Sequence, residues 1–180
     1  MLSIVITTYN RAGAVQKQLF SLEKQTSNDF EVIVAIDGST DGTQEMLSRL
    51  QTSYPLRWVD TEFSGYGLAI ARNIGILAAS GETVVILDDD SFPNVNFVAA
   101  HLAAQRAGVM TCGPRDPSDP QSDPRLAAKM KRLREVPALN PEPLSNLLAN
   151  HPGLSLIENN LSMSRSDCIS LGLFTERLKM

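Results

Sequence analysis

Short apolar runs alternate with helical segments along residues 1–113 of this 180-residue chain. The runs of strand length are Leu2–Thr8, Glu31–Ile36, Leu56–Asp60, Thr83–Leu87 and Val109–Cys112. Between them, apolar residues at helical spacing predict helices over Ala12–Thr26, Thr43–Ser53, Leu68–Ser80 and Asn94–Arg106. Strands that alternate with helices indicate an α/β fold with a mostly parallel central sheet flanked by helices.

The composition is that of one globular domain, with 43% hydrophobic and 20% charged residues. Asp and Glu number 20 against 16 Lys and Arg, and this mild acidity argues against general nucleic-acid binding, which needs a basic surface. The apolar runs are too short to cross a membrane and the first residues are patterned as a strand, so a cytoplasmic location is expected. Cys112 and Cys168 have no metal-ligand spacing and are too few for a disulfide scaffold.

The composition changes after residue 113, where eight of the ten prolines lie. We expect an irregular excursion with one short helix, then a strand over Ser155–Ser164 and a helix near Ser166–Leu171. Five basic residues lie between Arg125 and Arg134. A solvated amphipathic helix is the favoured interpretation of this cluster, and contact with an anionic acceptor or a membrane surface is the alternative.

The residues that follow each strand are the candidates for function, because ligands of parallel α/β sheets bind outside the carboxyl ends of the strands. Polar residues follow three of the predicted strands: Thr7, Thr8, Tyr9, Asn10 and Arg11, then Asp37, then Asp88, Asp89 and Asp90. No GxGxxG follows a strand and no GxxxxGK[ST] occurs, so neither a dinucleotide fingerprint nor a P-loop is supported. His101 and His151 do not accompany a nucleophile elbow, and His101 is expected on a helix surface.

Three consecutive carboxylates at the end of a hydrophobic strand need compensation. Two unit charges ~4 Å apart repel by about 1 kcal/mol in water and by about 4 kcal/mol at an effective dielectric of 20. A divalent cation relieves this repulsion, and in extended backbone Asp88 and Asp90 would face it from the same side. A solvated acidic turn before the next helix is an equally good interpretation of the residues alone.

Asp37 and Arg72 are also open to two interpretations. Asp37 begins a turn-rich stretch, Asp37–Gly42, and is a turn residue or a ligand-binding carboxylate. Arg72 is a surface charge of the helix Leu68–Ser80, or it supplies fork-like donors to a diphosphate.

Four segments in order give the chain a resemblance to a known family. Ser3–Arg11, Asp37–Thr43, Ala71–Gly75 and Leu87–Asp90 closely resemble the boxes of the family-2 inverting glycosyltransferases with the GT-A fold. Glu158–Arg165 and Gly172–Arg177 resemble later boxes more loosely, with Thr175 at the usual Asp position. The resemblance implies a Rossmann-like, mostly parallel sheet in a single domain. Residues 1–113 would form its nucleotide-sugar-binding half and residues 114–180 part of an acceptor-side half.

The resemblance also implies roles for the residues at the strand ends. Thr7 and Tyr9 would line the base pocket, and Asp37 would accept a hydrogen bond from the base, usually uracil; Ile36 replaces an aspartate that the family often has beside it. The other implied donor-binding residues are Asn10, Arg11, Arg72, Asp88 and Asp89. Asp90, with Asp88, would bind Mg²⁺ or Mn²⁺ that bridges the diphosphate.

The implied reaction moves a sugar from a nucleoside diphosphate sugar, with UDP the expected nucleotide, to an acceptor hydroxyl with inversion. The acceptor would be a glycan, a lipid-linked molecule or another hydroxyl compound, and a lipid-linked acceptor would bring the protein to the inner face of the membrane. The family's base lies in an acidic pair after the box that begins here at Gly172, and none precedes Met180. A chain shortened at its C-terminus is therefore expected, with the base beyond Met180. The alternatives are a nucleotide-sugar-binding module without transfer and, less favoured, a receiver domain.

Overall fold

The computed structural model describes residues 1–62, 67–106, 108–113 and 160–174. The strands of its central sheet are β1 (Leu2–Thr8), β2 (Phe30–Ile36), β3 (Leu56–Asp60), β4 (Thr83–Asp88), β5 (Thr111–Cys112) and β6 (Leu161–Ser164). The helices are α1 (Ala12–Leu22), α2 (Thr43–Arg49), α3 (Leu68–Ala78), α4 (Phe97–Ala104) and α5 (Arg165–Ser170). Within these residues no helix is long and apolar enough to cross a membrane.

The six strands have the order β3-β2-β1-β4-β6-β5. β1 pairs in parallel with β2 and β4, and β2 pairs in parallel with β3. β6 runs antiparallel to both β4 and β5. The chain thus moves outward from β1 to β3 and returns to the other side of β1 as β4. This reversal opens a crevice at the carboxyl ends of β1 and β4, the position where ligands bind in open α/β sheets.

The predicted elements occur in the predicted order, with shorter helices and one different edge. α4 begins at Phe97 rather than Asn94, and β5 has two residues and pairs antiparallel at the edge instead of extending the parallel sheet. The basic cluster Arg125–Arg134, the first part of the predicted strand Ser155–Ser164, and Thr175 lie outside the described residues.

Helices cover both faces of the sheet, so β1 and β2 are buried along their whole length. Alternate residues of the strands enter two different cores. Ile4 and Ile6 of β1 join a core that includes residues of α1, α2 and α4. Val5 joins a second core with Ile76 of α3.

Gly75 brings α3 close to β1. A Cβ atom at this position would lie 2.4 Å from Cγ1 of Val5, closer than real Cβ contacts come. The glycine of the Ala71–Gly75 box is therefore needed for the approach of the helix to the sheet. That approach places the first two turns of α3 near the carboxyl ends of the strands.

Glu31 forms a buried polar cluster at the opposite, amino end of the sheet. Its carboxylate accepts hydrogen bonds from Ser3 Oγ at 2.7 Å, the Ser80 amide at 2.6 Å and Arg57 Nη2 at 2.7 Å. Burial by itself raises the pKa of Glu31, but these hydrogen bonds and the Arg57 charge outweigh it, and the pKa lies below its usual value. The cluster stabilises the sheet at the end away from the crevice.

His101 is buried, with 4% of its surface exposed, and the prediction of a surface position is wrong. His101 shares the buried face of α4 with Phe97 and Val98, whereas alanines occupy the exposed face. The ring Nδ1 lies 2.7 Å from Ser162 Oγ, and Nε2 lies 2.7 Å from Asn160 Oδ1. Since an amide oxygen only accepts, Nε2 carries the hydrogen and Nδ1 accepts from Ser162. Burial lowers the pKa of His101 below its usual value.

Candidate functional site

A cleft of about 490 Å³ lies at the carboxyl ends of β1, β2 and β4. Its lining residues are Thr7, Thr8, Tyr9, Arg11, Asp37, Leu68, Asp88, Asp89 and Asp90. Seven of the nine site residues named from the sequence are among them, and Asn10 and Arg72 are not. Thr8 was named from the sequence only as a polar residue at a strand end, without a role, and Leu68 only as the first residue of the predicted helix.

The alternation of strand side chains divides the cleft residues into two sets. Thr7 pairs with Asp88 across β1 and β4, and both continue the face of the sheet that packs against α3. Thr8 and Asp89 continue the opposite face, where Thr8 Oγ1 donates to Asp89 Oδ2 at 2.8 Å. Neighbouring aspartates of the triplet thus have different surroundings.

Asp89 is the buried member of the triplet, with 4% of its surface exposed. Arg11 Nη1 donates to its Oδ1 at 2.6 Å. Burial raises the pKa of Asp89; the Thr8 hydrogen bond and the Arg11 charge lower it and the two flanking aspartates raise it, and the resulting pKa lies above its usual value. Asp89 is a supporting carboxylate, tied to the protein on both of its oxygens.

Asp88 and Asp90 contact different partners. The expectation that extended backbone would direct both towards one cation is therefore not met. β4 ends at Asp88, and a turn follows in which the Ser91 amide donates to the Asp88 carbonyl at 3.1 Å. Asp90 therefore shares Arg11 with Asp89, at 3.3 Å from both Nη atoms, whereas Asp88 lies 3.6 Å from Arg72 Nη2. An acidic turn is therefore present, and an arginine lies beside each of the three carboxylates, while the divalent cation stays a prediction.

The side chain of Gln18 in α1 is hydrogen-bonded to this turn, a contact that was not predicted from the sequence. Its Nε2 donates to the Asp88 carbonyl at 2.6 Å and to the Ser91 carbonyl at 2.8 Å. The residue is fully buried. The one available signal was a polar residue on the apolar stripe of α1, next to Leu19.

Asp37 ends β2 as a buried carboxylate with 5% of its surface exposed. Its Oδ2 accepts the amide of Gly67, the residue that precedes α3, at 2.9 Å, and its Oδ1 lies 3.5 Å from Thr61 Oγ1. The helix N-terminus favours a negative charge there. Asp37 thus fixes the start of α3 and lines the cleft at once.

Asn10 and Asp41 join the loop after β1 to the loop after β2. Asn10 has a φ of 52°, accepts the Thr40 amide at 2.7 Å, and donates its own amide to Ser39 Oγ at 2.9 Å. Asp41 accepts the amides of Ala12 and Thr43 at 2.9 and 3.2 Å. Burial raises the pKa of Asp41, but these hydrogen bonds outweigh it, and the pKa lies below its usual value. The turn chemistry expected at Asp37 is supplied by Asp41.

Arg72 is buried, with 6% of its surface exposed, so it is not a surface charge of α3. Its guanidinium contacts Asp88, which lines the cleft, but Arg72 is not itself a lining residue. The guanidinium also lies over the ring of Phe174, 5.3 Å from the ring centre.

The chemistry of the triplet fits a magnesium-like cation only in part. Within the described part of the chain, no three His, Cys, Asp or Glu side chains form a metal-holding group. Asp88 and Asp90 are partly exposed at the cleft, with side-chain exposures of 41% and 35%. Mg²⁺ usually takes one or two carboxylates plus substrate phosphates, so either carboxylate suits a cation that arrives with a phosphorylated ligand.

Comparison with known proteins accounts for this arrangement. The family model described as Glycosyl transferase family 2 matches residues 3–165. The chain belongs to glycosyl transferase family 2. Its fold is of the GT-A type, as the resemblance implied. Among structures, it aligns with Staphylococcus aureus TarS 1–349 at a TM-score of 0.74 and 23% identity, covering 99% of this chain and 51% of that one.

Two characterised relatives are similar to the chain in sequence. Validoxylamine A glucosyltransferase of Streptomyces hygroscopicus subsp. jinggangensis is 36% identical over 68% of this chain and 31% of its own length. Chondroitin synthase of Escherichia coli is 32% identical over 90% of this chain and 23% of its own length. The chain therefore spans less than a third of these two relatives. The mannosyltransferase PcManGT of Pyrobaculum calidifontis, solved with GDP-Man and Mn²⁺, aligns at a TM-score of 0.68 and 25% identity, over 98% of this chain and 48% of that one.

Proposed function

We propose that the cleft binds a nucleoside diphosphate sugar and that the chain takes part in metal-dependent, inverting transfer of its sugar to an acceptor hydroxyl. The observation that carries the proposal is the gathering of three sequence motifs around one crevice, with Asp37 at one side and Asp88–Asp90 at the other. Two similar structures support it, since Staphylococcus aureus TarS 1–349 was solved with UDP-GlcNAc and PcManGT with GDP-Man and Mn²⁺.

The base and ribose belong at the β1–β2 side of the cleft. Thr7 and Tyr9 would line the base pocket, and the Asp37 carboxylate would accept a hydrogen bond from a ring N–H, as uracil offers. Tyr9 is 56% exposed, so its side chain is accessible to a ligand. Asn10 would serve by fixing the loop that carries Tyr9, given its hydrogen bonds to Ser39 and Thr40.

The diphosphate belongs at the β1–β4 side, beside the aspartate triplet. Asp88 and Asp90 would hold Mg²⁺ or Mn²⁺, which would supply charge neutralisation for the leaving diphosphate. Arg11 would orient the turn through Asp89 and Asp90, and its partly exposed guanidinium adds fork-like donors near the phosphates. Arg72 would keep Asp88 in place from the side of α3.

The acceptor is proposed only as a hydroxyl compound, because the two relatives are different kinds of enzyme. One is a glucosyltransferase named for validoxylamine A, and the other is a chondroitin synthase. Inversion would follow from one attack on the anomeric carbon, opposite the leaving diphosphate, with a carboxylate base to take the proton of the hydroxyl.

Calorimetric titration tests the donor half of the proposal. UDP and GDP are titrated into the protein with MnCl₂ and again with excess chelator. We expect UDP binding that depends on Mn²⁺ and is weakened at least about tenfold in Asp88→Asn, equivalent to about 1.4 kcal/mol. Asp29→Asn is the matched control, because Asp29 is exposed at the amino end of β2 and pairs with the terminal amine. Failure of every nucleoside diphosphate to bind in a metal-dependent way would contradict the proposal.

A further inference from the structure

Arg72 is a buried cation whose position depends on the segment that follows α5. A buried guanidinium is costly unless charged or aromatic groups surround it. Among the described residues, Arg72 contacts the Asp88 carboxylate at 3.6 Å and the face of the Phe174 ring, 5.3 Å from its centre. Residues 88 and 174 thus hold one guanidinium between the cleft and the protein interior.

The end of α5 turns the chain so that Phe174 reaches α3. Gly172 has a φ of 90°, and its amide donates to the Ile169 carbonyl at 3.1 Å. The Leu173 amide donates to the Cys168 carbonyl at 3.0 Å. Together these two bonds are a Schellman motif, which uses glycine because the left-handed conformation strains other residues. Leu173 continues the left-handed turn with a φ of 62°.

The side chain of Asn73 holds the backbone of Phe174 through two hydrogen bonds. The Asn73 Nδ2 donates to the Phe174 carbonyl at 3.0 Å, and the Phe174 amide donates to Asn73 Oδ1 at 2.8 Å. Asn73 is 4% exposed, so water does not compete well for these bonds. Consecutive residues of α3 therefore meet a single residue, with Asn73 bound to its backbone and Arg72 stacked on its ring.

We propose that Phe174 and Asn73 are positioning residues of the donor site, which hold the Arg72 guanidinium in place and through it the Asp88 carboxylate. This inference rests on the proposed function, in which Asp88 contributes to donor binding. It adds that residues 172–174, remote in sequence from the cleft, set the donor affinity. An apolar side chain at position 174 fills the same space without attracting the cation, so packing and positioning are separable.

The substitutions are chosen to separate the two roles. Phe174→Leu keeps an apolar side chain and removes the aromatic face, and Phe174→Tyr keeps the face. Asn73→Ala removes both bonds to the Phe174 backbone. Phe20→Leu is the matched control, because Phe20 is an exposed residue of α1 outside the cleft. Phe174→Met replaces Phe174→Leu if the latter does not fold.

Two measurements are made on each variant. Nitrogen-15 NMR follows the Arg72 Nε–H signal without any ligand, and calorimetry measures the affinity for UDP with MnCl₂. In Phe174→Leu and Asn73→Ala we expect hydrogen exchange at Arg72 Nε to accelerate about tenfold and UDP affinity to fall about tenfold. Phe174→Tyr and Phe20→Leu should stay within about twofold of the parent protein on both.

The outcomes distinguish this inference from the proposed function. Equal losses in Phe174→Leu and Phe174→Tyr, or unchanged Arg72 exchange in Phe174→Leu, would overturn the positioning role. If the parent chain binds neither UDP nor GDP, the proposed function fails, and the exchange of Arg72 Nε–H still decides whether Phe174 and Asn73 hold the guanidinium.

Discussion

Arg11 Nη1 lies 2.6 Å from Asp89 Oδ1 and joins the loop after β1 to the turn after β4. These two segments flank the crevice where the strand order reverses. The arginine is half exposed and the aspartate is 6% exposed at its side chain, so the pair spans the boundary between the cleft and the interior. A charged pair in this position fixes the geometry of the aspartate triplet before any ligand arrives.

Asp89→Asn should raise stability and lower donor affinity. The folded-state pKa of Asp89 is raised, so the folded protein holds this proton more tightly than the unfolded chain, and ionisation above that pKa costs stability. The asparagine oxygen still accepts from Arg11, its NH₂ group can donate to the Thr8 hydroxyl, and the substitution removes one of three adjacent charges. We expect a gain of about 0.5–1 kcal/mol at pH 7.5, or about 2 °C in Tm, measured by thermal unfolding.

This gain in stability should shrink as the pH falls through the raised folded-state pKa of Asp89, because Asp89 then becomes protonated in the parent protein. The same variant should bind UDP with MnCl₂ more weakly, since the triplet has lost a charge that holds Arg11. A lower Tm at pH 7.5 would show that the Arg11–Asp89 pair stabilises the fold despite its burial.

Asn10 should stabilise its loop in two ways, through its left-handed backbone conformation and through the hydrogen bond of its side chain. Asn10→Gly keeps access to the φ of 52° and loses the bond to the Thr40 amide, whereas Asn10→Ala loses both. We expect losses in the free energy of unfolding of about 1 kcal/mol for glycine and about 2 kcal/mol for alanine, measured by urea denaturation. Equal losses in the two variants would rule out a contribution from backbone strain.

The strands and the polar residues that follow them were predictable because both depend on local pattern. Buried parallel strands have apolar sequences, and their carboxyl ends meet at one edge whatever the rest of the chain does. Thr7, Asp37 and Asp88 were therefore located by spacing alone. The order β3-β2-β1-β4-β6-β5 supplies the crevice between them, and only its parallel part followed from the alternation of strands and helices.

Long-range contacts account for what the sequence did not reveal. Gln18 resembles a chance polar residue on an apolar stripe until the turn after β4 is placed beside it. His101 was expected on a surface because a single histidine in a helix gives no sign of Asn160 and Ser162 about sixty residues later. The Arg72–Phe174 contact likewise joins residues far apart in sequence. Each depends on tertiary packing that no local spacing encodes.

Glu31→Gln should destabilise the sheet at the end opposite the cleft. It replaces a carboxylate that accepts from Ser3, Ser80 and Arg57. We expect a loss of about 2 kcal/mol at pH 7.5, measured by urea denaturation, with Glu82→Gln as the exposed control. Folding lowers the pKa of Glu31, so the stability that Glu31 contributes is present above the unfolded-chain pKa of 4.5 and is lost as the pH falls through the folded-state pKa. An unchanged difference between parent and variant well below pH 4.5 would contradict this assignment.

Folding stability should decline in mild acid because of His101. Its folded-state pKa lies below the unfolded value of 6.5, so the unfolded chain takes up the proton first as the pH falls. Protonation also fills Nδ1, which then no longer accepts from Ser162. Between pH 7.5 and pH 5.5 we expect a loss of about 1 kcal/mol, or about 2–4 °C in Tm.

The two histidines of the chain provide the control for this pH dependence. His101→Asn removes the titrating ring and should have a lower Tm at pH 7.5 but a smaller decline towards pH 5.5. His151→Gln should keep the full decline of the parent protein. If His151→Gln abolishes the decline and His101→Asn retains it, the buried ring is not the group that titrates, and the hydrogen bonds to Asn160 and Ser162 do not depend on its neutral form.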